Sequence, residues 1–147
     1  MNEGPLSRVV QILLVDDNLI LRQALRALLE REPDFTICGE ADTASAALEQ
    51  AAETQPDLVL IDVFLPDRSG IDLARMLRQR LPDVTLAMLS GHRDKHLVDY
   101  ALDAGAVGYI LKGRAAELPR AIRQVMRGER YLSPEIDGSG LASGAVS

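Results

Sequence analysis

Polar side chains that could do chemistry follow four short apolar runs, at the point where each run stops. Asp16 and Asp17 come after one run, and Asp62, Ser90 and Lys112 each come after another. Three carboxylates placed together repel one another unless a cation joins them, and oxygen-only ligands favour a hard cation such as Mg²⁺. A carboxylate, Mg²⁺ and a lysine together form a site that can accept a phosphoryl group.

These side chains meet only if the apolar runs are parallel strands of one sheet. Short continuous apolar runs are typical of strands that are buried on both faces. The sequence predicts strands at 9–15, 35–39, 58–63, 84–89 and 108–111, and helices after Asn18 and at 44–53, 69–80, 95–104 and 115–127. Five such β-α units predict a flavodoxin-like (βα)5 fold, which is a three-layer, doubly wound α/β domain.

Right-handed crossovers in this fold predict a parallel five-stranded sheet with the order 2-1-3-4-5. Strands one and three are then neighbours, and groups at their carboxyl ends share the switch point of the sheet. Asp16, Asp17 and Asp62 are predicted to meet there. The helix after Asn18 is predicted to turn one apolar face inward, formed by Ile20, Leu21, Ala24, Leu25, Leu28 and Leu29.

Length and composition exclude several function classes. At 147 residues the chain is predicted to form one domain, and 22 acidic against 16 basic residues argue against direct nucleic-acid binding. The single cysteine, Cys38, cannot form an internal disulfide and is predicted to be a buried, reduced thiol. No segment of the sequence looks like a signal peptide or a membrane span, so we expect a cytoplasmic location and no membrane contact.

The set of strand-end residues closely resembles the receiver domain of two-component response regulators. The resemblance covers residues 8–127 and depends on the Asp16-Asp17 pair, Asp62, the LPDRSG turn at 65–70, Ser90 and Lys112. Each motif is weak alone, but all of them together, in this order, are specific. The segment 128–134, GERYLSP, is similar to the NarL/FixJ, or LuxR-type, branch of transcriptional regulators.

The resemblance implies a role for each matching residue. Asp62 is the expected phosphoacceptor, Asp17 binds Mg²⁺ directly and Asp16 acts through a metal-bound water. The backbone carbonyl of Phe64 is a further expected ligand of Mg²⁺. The remaining roles fall to Ser90 and Lys112, which hold the phosphoryl oxygens, and to Tyr109, an aromatic switch that turns inward when Ser90 moves.

The resemblance also implies the organisation and the partners of the protein. We expect a receiver domain at 8–130 and a linker or tail at 131–147 that leads toward a helix-turn-helix output domain. The expected partners are a sensor histidine kinase and a possible second copy of the chain, with DNA contacted only through that C-terminal domain, which is absent from this sequence. A stand-alone receiver is the alternative organisation.

Three departures from the family pattern are visible in the sequence. Leu65 replaces the common methionine before the turn proline, and Phe64 is apolar where polar residues are frequent. Gly113 stands where many members have a cis proline, so we expect a trans bond after Lys112.

Three other functions compete with the signalling interpretation. A Mg²⁺-dependent phosphatase with an aspartyl nucleophile needs a second aspartate at the Phe64 position, which argues against it. A scaffold that no longer takes phosphate is disfavoured by the complete set of Asp, Ser and Lys residues. Flavin binding on the same fold is disfavoured because three carboxylates repel a phosphate group.

Overall fold

The computed structural model describes residues 4–136 and shows one parallel sheet with helices on both faces. The strands are β1 Val10–Val15, β2 Phe35–Ala41, β3 Leu58–Asp62, β4 Thr85–Ser90, β5 Gly108–Leu111 and β6 Tyr131–Leu132. The helices are α1 Leu19–Leu29, α2 Ala44–Thr54, α3 Gly70–Arg80, α4 Lys95–Asp103 and α5 Leu118–Met126. The strand order is β2-β1-β3-β4-β5-β6, which confirms the predicted order and adds a sixth strand.

The central strands are buried because their side chains alternate between two apolar layers. In β3, Val59 and Ile61 pack on the face covered by α2, α3 and α4, whereas Leu58 and Leu60 pack on the face covered by α1 and α5. All five residues of β3 are buried. A strand that is buried on both faces has apolar residues at consecutive positions, which explains why β3 could be predicted from the sequence.

Helix α1 presents a narrower face to the core than the one predicted. Leu25 and Leu29 are buried as expected, but Ile20 is 77% exposed and Ala24 is exposed as well. Ile20 and Ala24 are four residues apart and therefore share one stripe of the helix. This stripe lies beside the buried one, so the predicted inward face was too wide.

The last predicted helix is divided into two pieces. Residues Lys112–Glu117 form a 3₁₀ segment in which Arg114 has non-helical backbone angles, and α5 begins only at Leu118. Pro119 lies in the first turn of α5, where its missing N–H costs nothing. The described peptide bonds are all trans, which confirms the expectation for the bond between Lys112 and Gly113.

Strand β6 was missed by the sequence analysis. Its two residues pair in parallel with Gly108 and Tyr109 of β5, inside the segment predicted as a linker. The rest of that predicted tail, residues 137–147, lies outside the described residues, so the predicted domain boundary stays a prediction. Within residues 4–136, no helix is long and apolar enough to cross a lipid bilayer.

Candidate functional site

An acidic cluster lies at the carboxyl end of the sheet. Asp62 is the last residue of β3, and Asp16 and Asp17 follow the neighbouring strand β1. One carboxylate oxygen from each of the three residues lies within 4.8 Å of the others. Asp16 and Asp62 are buried, whereas Asp17 is exposed, so the cluster opens to solvent on one side.

Lys112 joins two of these carboxylates. Its ammonium nitrogen lies 3.0 Å from Asp16 Oδ2 and 3.1 Å from Asp62 Oδ2. Burial by itself lowers the pKa of Lys112, but the close contacts with the carboxylates of Asp16 and Asp62 outweigh it and the net pKa is raised. Burial, and then the charge of Asp16, raise the pKa of Asp62 although Lys112 opposes them. The site therefore holds more negative charge than its one lysine offsets.

The backbone carbonyl of Asp16 is held by Arg22, a residue that the sequence analysis did not assign to the site. Arg22 of α1 donates from Nη1 to the Asp16 carbonyl and from Nε to Glu40 Oε1 of β2, at 2.9 Å. Asp16 Oδ1 also accepts the Asn18 N–H at 2.8 Å. The only signal for Arg22 in the sequence was its place in the predicted helix after Asn18.

The turn after β3 is held close to the Asp62 backbone. The Gly70 N–H donates to the Val63 carbonyl at 2.7 Å, and Phe64 forms an isolated bridge with Ser69. A Cβ atom at Gly70 would lie 1.9 Å from the Asp62 carbonyl oxygen, so this position requires glycine. The motif glycine thus lets α3 begin directly against the end of β3.

Asp67 of the same turn caps a different helix. Its carboxylate accepts the N–H groups of Ala44 and Ser45, at 2.8 and 3.0 Å. Negative charge is stabilising at a helix N-terminus, and these hydrogen bonds lower the pKa of Asp67. The turn that follows Asp62 is therefore anchored to α2 as well as to α3.

Ser90 and Tyr109 meet in the loop after β4. Ser90 is fully buried, and its Oγ accepts the His92 N–H at 3.0 Å. The Tyr109 ring is buried too, and its hydroxyl donates to the His92 carbonyl at 2.7 Å. The His92 ring packs edge-to-face on Phe64, with 4.9 Å between the ring centroids.

The sheet register brings Ser90 and Lys112 to the edge where Asp62 lies. Asp62 pairs with Leu89, the residue before Ser90, and Ser90 pairs with Leu111, the residue before Lys112. The predicted residues thus come from the carboxyl ends of four adjacent strands. The Phe64 side chain, which is half exposed, offers no acid at the position where a phosphatase would need one.

The donor set suits a hard divalent cation. The three aspartates supply only oxygen ligands, and Mg²⁺ is held in proteins by one or two carboxylates with water completing its shell. The excess negative charge and the open side at Asp17 fit a hydrated ion. These residues could therefore hold Mg²⁺ beside the Asp62 carboxylate.

Comparison with known proteins agrees with this geometry. Residues 12–123 match the family described as response regulator receiver domain. The transcriptional regulatory protein DegU of Brevibacillus brevis is 34% identical over 137 residues, which are 92% of this chain and 58% of DegU. The DNA-binding transcriptional activator DevR/DosR of Mycobacterium tuberculosis is 35% identical over 84% of this chain and 58% of its own length.

The chain therefore spans about three fifths of the length of the curated relatives it matches. Among solved structures, a LuxR-family two-component response regulator from Aurantimonas sp. SI85-9A1 superposes with a TM-score of 0.88 at 35% identity, over 95% of this chain and 99% of that one. The isolated REC domain of RcsB from Salmonella enterica serovar Typhimurium, at 19% identity and a TM-score of 0.82, supports the fold alone. The chain belongs to the receiver domains of two-component response regulators, in their LuxR-type group.

Proposed function

We propose that this receiver domain accepts a phosphoryl group on Asp62 from a sensor histidine kinase, with Mg²⁺ as cofactor. The observation that carries the proposal is the Lys112 ammonium, which lies about equally far from the carboxylates of Asp16 and Asp62. A lysine in that position can turn from a carboxylate to the oxygens of an incoming phosphoryl group. Asp62 is the natural acceptor because it is the most central of the three acids, at the end of β3.

The transfer step uses one Asp62 oxygen as the nucleophile. That oxygen forms a bond to phosphorus as the bond from phosphorus to the histidine nitrogen of the kinase breaks, and the nitrogen keeps the electron pair. A carboxylate is a weak nucleophile, so positioning and charge stabilisation supply most of the rate. The Lys112 ammonium stabilises charge on the phosphoryl oxygens, and the Ser90 hydroxyl donates to one of them.

Mg²⁺ supplies charge neutralisation and fixes the orientation of the phosphoryl oxygens when it is bound. Asp17 and Asp62 would hold it directly, Asp16 would hold it through water, and the Phe64 carbonyl would complete the protein ligands. The partner of Asp16 Oδ2 among the described residues is Lys112, and this oxygen has no hydrogen bond of good geometry. An underused buried oxygen is the expected partner of a hydrated cation.

The switch uses the loop after β4. Ser90 now accepts the His92 N–H, and Tyr109 donates to the carbonyl of the same residue. When the Ser90 hydroxyl turns to a phosphoryl oxygen, both contacts are affected at once. A change at Asp62 thereby alters the loop at His92, and with it the surface beside α4.

The whole protein is proposed to regulate transcription. DegU and DevR/DosR are transcriptional regulators by name, and this chain matches 58% of each. We propose that a C-terminal DNA-binding domain carries the output, and that phosphorylation favours pairing of two copies. A cytoplasmic location remains our prediction from the sequence.

The assignment is tested by intact mass after incubation with acetyl phosphate and Mg²⁺. We expect the wild type to gain one phosphoryl group and Asp62→Asn to gain none. The control is Asp99→Asn, which removes an exposed carboxylate of α4 that forms an ion pair with Lys95 and should label like the wild type. Equal labelling of Asp62→Asn and the wild type would refute Asp62 as the acceptor.

A further inference from the structure

The chain after α5 returns to the sheet and crosses its edge beside β5. Tyr131 packs in the apolar layer under α1 and α5, whereas Ile136 packs in the opposite layer, under α2, α3 and α4. Both side chains are buried. We call residues 131–136 the strap, because they join the two faces of the domain across the β5 edge.

The strap is hydrogen-bonded to the residues of β5 that lead to the site. The Tyr131 N–H donates to the Val107 carbonyl at 2.9 Å, and the Ser133 N–H donates to the Tyr109 carbonyl at 3.0 Å. The next N–H of this ladder belongs to Leu111, and it donates at 2.9 Å to the Ser133 side-chain hydroxyl. Ser133 is fully buried, so solvent does not compete for this hydrogen bond.

The hydroxyl of Ser133 therefore holds the peptide between Ile110 and Leu111, one peptide before the one that joins Leu111 to Lys112. Strand β6 ends at Leu132, and no backbone carbonyl of the strap accepts the Leu111 N–H in the structure. A side-chain oxygen takes the place of the missing strand carbonyl. Leu111, which contacts the strap through this hydrogen bond, is the residue directly before Lys112.

A hydrogen bond and an ion pair hold the strap to the 3₁₀ segment, Lys112–Glu117. The Tyr131 hydroxyl donates to Glu117 at 2.6 Å, and burial together with this bond raises the pKa of Tyr131 to about 12. Arg114 pairs with Glu117 at 3.1 Å and with Glu135 at 2.8 Å. The strap is thus fastened to the 3₁₀ segment near both of its ends.

We propose that Ser133 is a positioning residue for Lys112, acting through the hydrogen bond from the Leu111 N–H to the Ser133 hydroxyl. Through the same hydrogen bond, the strap is held more tightly against β5 when a phosphoryl group occupies Asp62. The inference depends on the proposed function, because it assumes that Lys112 holds the phosphoryl group. A Lys112 whose backbone is fixed is already oriented for the phosphoryl oxygens. A phosphoryl group that holds Lys112 in place in turn favours the strap contacts that keep Leu111 and Tyr109 in register.

This coupling must act in both directions. If the docked strap favours the phosphoryl-bound site by some factor, then a bound phosphoryl group favours the docked strap by the same factor. Coupling between two sites in proteins typically amounts to about fivefold or more. The two halves can therefore be measured separately and must agree.

The first half is tested with beryllium fluoride, a phosphoryl analogue, titrated in the presence of Mg²⁺ and followed by the melting temperature. We expect Ser133→Ala to weaken binding about fivefold or more relative to the wild type. The matched control is Thr43→Ala, which also removes a hydroxyl that accepts a backbone N–H, that of Ala46 at 3.0 Å, and should leave binding unchanged. A merely structural serine would lower the melting temperature without changing the affinity.

The second half uses the wild type alone, so it stands even if Ser133→Ala does not fold. Amide hydrogen exchange at Tyr131 and Ser133 should slow about fivefold or more when beryllium fluoride binds. Unchanged or faster exchange overturns the inference, as does equal affinity of Ser133→Ala and the wild type. A wild type that neither binds beryllium fluoride nor labels with acetyl phosphate overturns the proposed function as well, so the two failures are distinguishable.

Discussion

Arg123 is the one buried basic side chain among residues 4–136, and its removal should cost much of the stability. The guanidinium donates to both oxygens of Asp34, at 2.9 and 2.7 Å, and to Glu32 at 2.6 Å. It also lies over the Phe35 ring, 4.9 Å from the centroid. Asp34 is only 3% exposed and accepts the Leu6 N–H as well, so α5, the start of β2 and the N-terminal segment meet at this pair.

Arg123→Met keeps most of the apolar stem but leaves the Asp34 carboxylate buried without its cation. Breaking a buried pair by removing one partner costs about 3–5 kcal/mol, because the remaining charge has lost both its water and its partner. Loss of the contact with Phe35 adds about 1 kcal/mol. A domain of this size is stable by roughly 5–15 kcal/mol, so the variant should fold but unfold at much lower denaturant.

The effect of the substitution should depend on pH. The hydrogen bonds from Arg123 lower the pKa of Asp34 below its ordinary value of 3.8, although burial opposes them. The unfolded chain then takes up the proton at higher pH than the folded one. The stabilisation by this pair is therefore complete well above pH 3.8 and is lost as the pH falls through the lowered pKa of the folded state.

The assay is urea unfolding of the wild type and Arg123→Met at pH 7, 5, 4 and 3. We expect a loss of about 3 kcal/mol or more at pH 7, and a smaller loss as the pH falls below 3.8. The control is Arg127→Met, an exposed arginine that donates to the Gly4 carbonyl, which should change stability by less than about 0.5 kcal/mol. A loss below about 1 kcal/mol at pH 7, or one that is the same at all four pH values, would refute the reasoning.

Three further predictions concern the site. Gly70→Ala should lower the free energy of unfolding by about 2–3 kcal/mol, because its Cβ would clash with the Asp62 carbonyl oxygen. The control is Gly113→Ala, whose Cβ would meet nothing within 4 Å and which should leave stability nearly unchanged, so similar denaturation curves for the two variants would contradict the prediction. Mg²⁺ should raise the melting temperature of the wild type but not that of Asp17→Asn. Without metal, Asp17→Asn should be as stable as the wild type or more stable by about 1 kcal/mol, because it removes one of three clustered charges. A metal-free variant that melts well below the wild type would show that Asp17 has a structural role instead. Phe64→Asn should shorten the lifetime of the phosphorylated form after donor removal at fixed Mg²⁺, more than His92→Ala does, because the ring of Phe64 shields the approach of water; an unchanged or longer lifetime would contradict the shielding.

The strands and the placement of the candidate site could be predicted from the sequence because both depend on local patterns. The apolar run before Asp62 indicated a strand buried on both faces, and the parallel fold then required strand ends to meet at one edge. Three aspartates and Lys112 lie together as expected. The grouping of these side chains could thus be predicted without knowledge of any contact.

The features that were missed depend on contacts between distant residues. Arg123 and Asp34 are 89 positions apart, and nothing in a basic helix face distinguishes an arginine that finds a buried carboxylate from one that faces solvent. Strand β6 has two residues, too few to show any periodicity. Cys38 was expected to be buried but is only half-buried, because β2 lies at the edge of the sheet.

Strand β2 also carries an irregularity with a consequence for the solution behaviour of the protein. Ile12 pairs with Ile37 but Leu13 pairs with Gly39, so Cys38 is an extra residue and β2 contains a bulge. An open strand edge is a template on which other chains can add strands, and a bulge interrupts the regular row of donors and acceptors that such addition needs. The opposite edge of the sheet ends in β6, which is only two residues long. The sheet is therefore protected at both sides against growth into an aggregate, and receiver molecules at high concentration should associate through their helices and not through their strands.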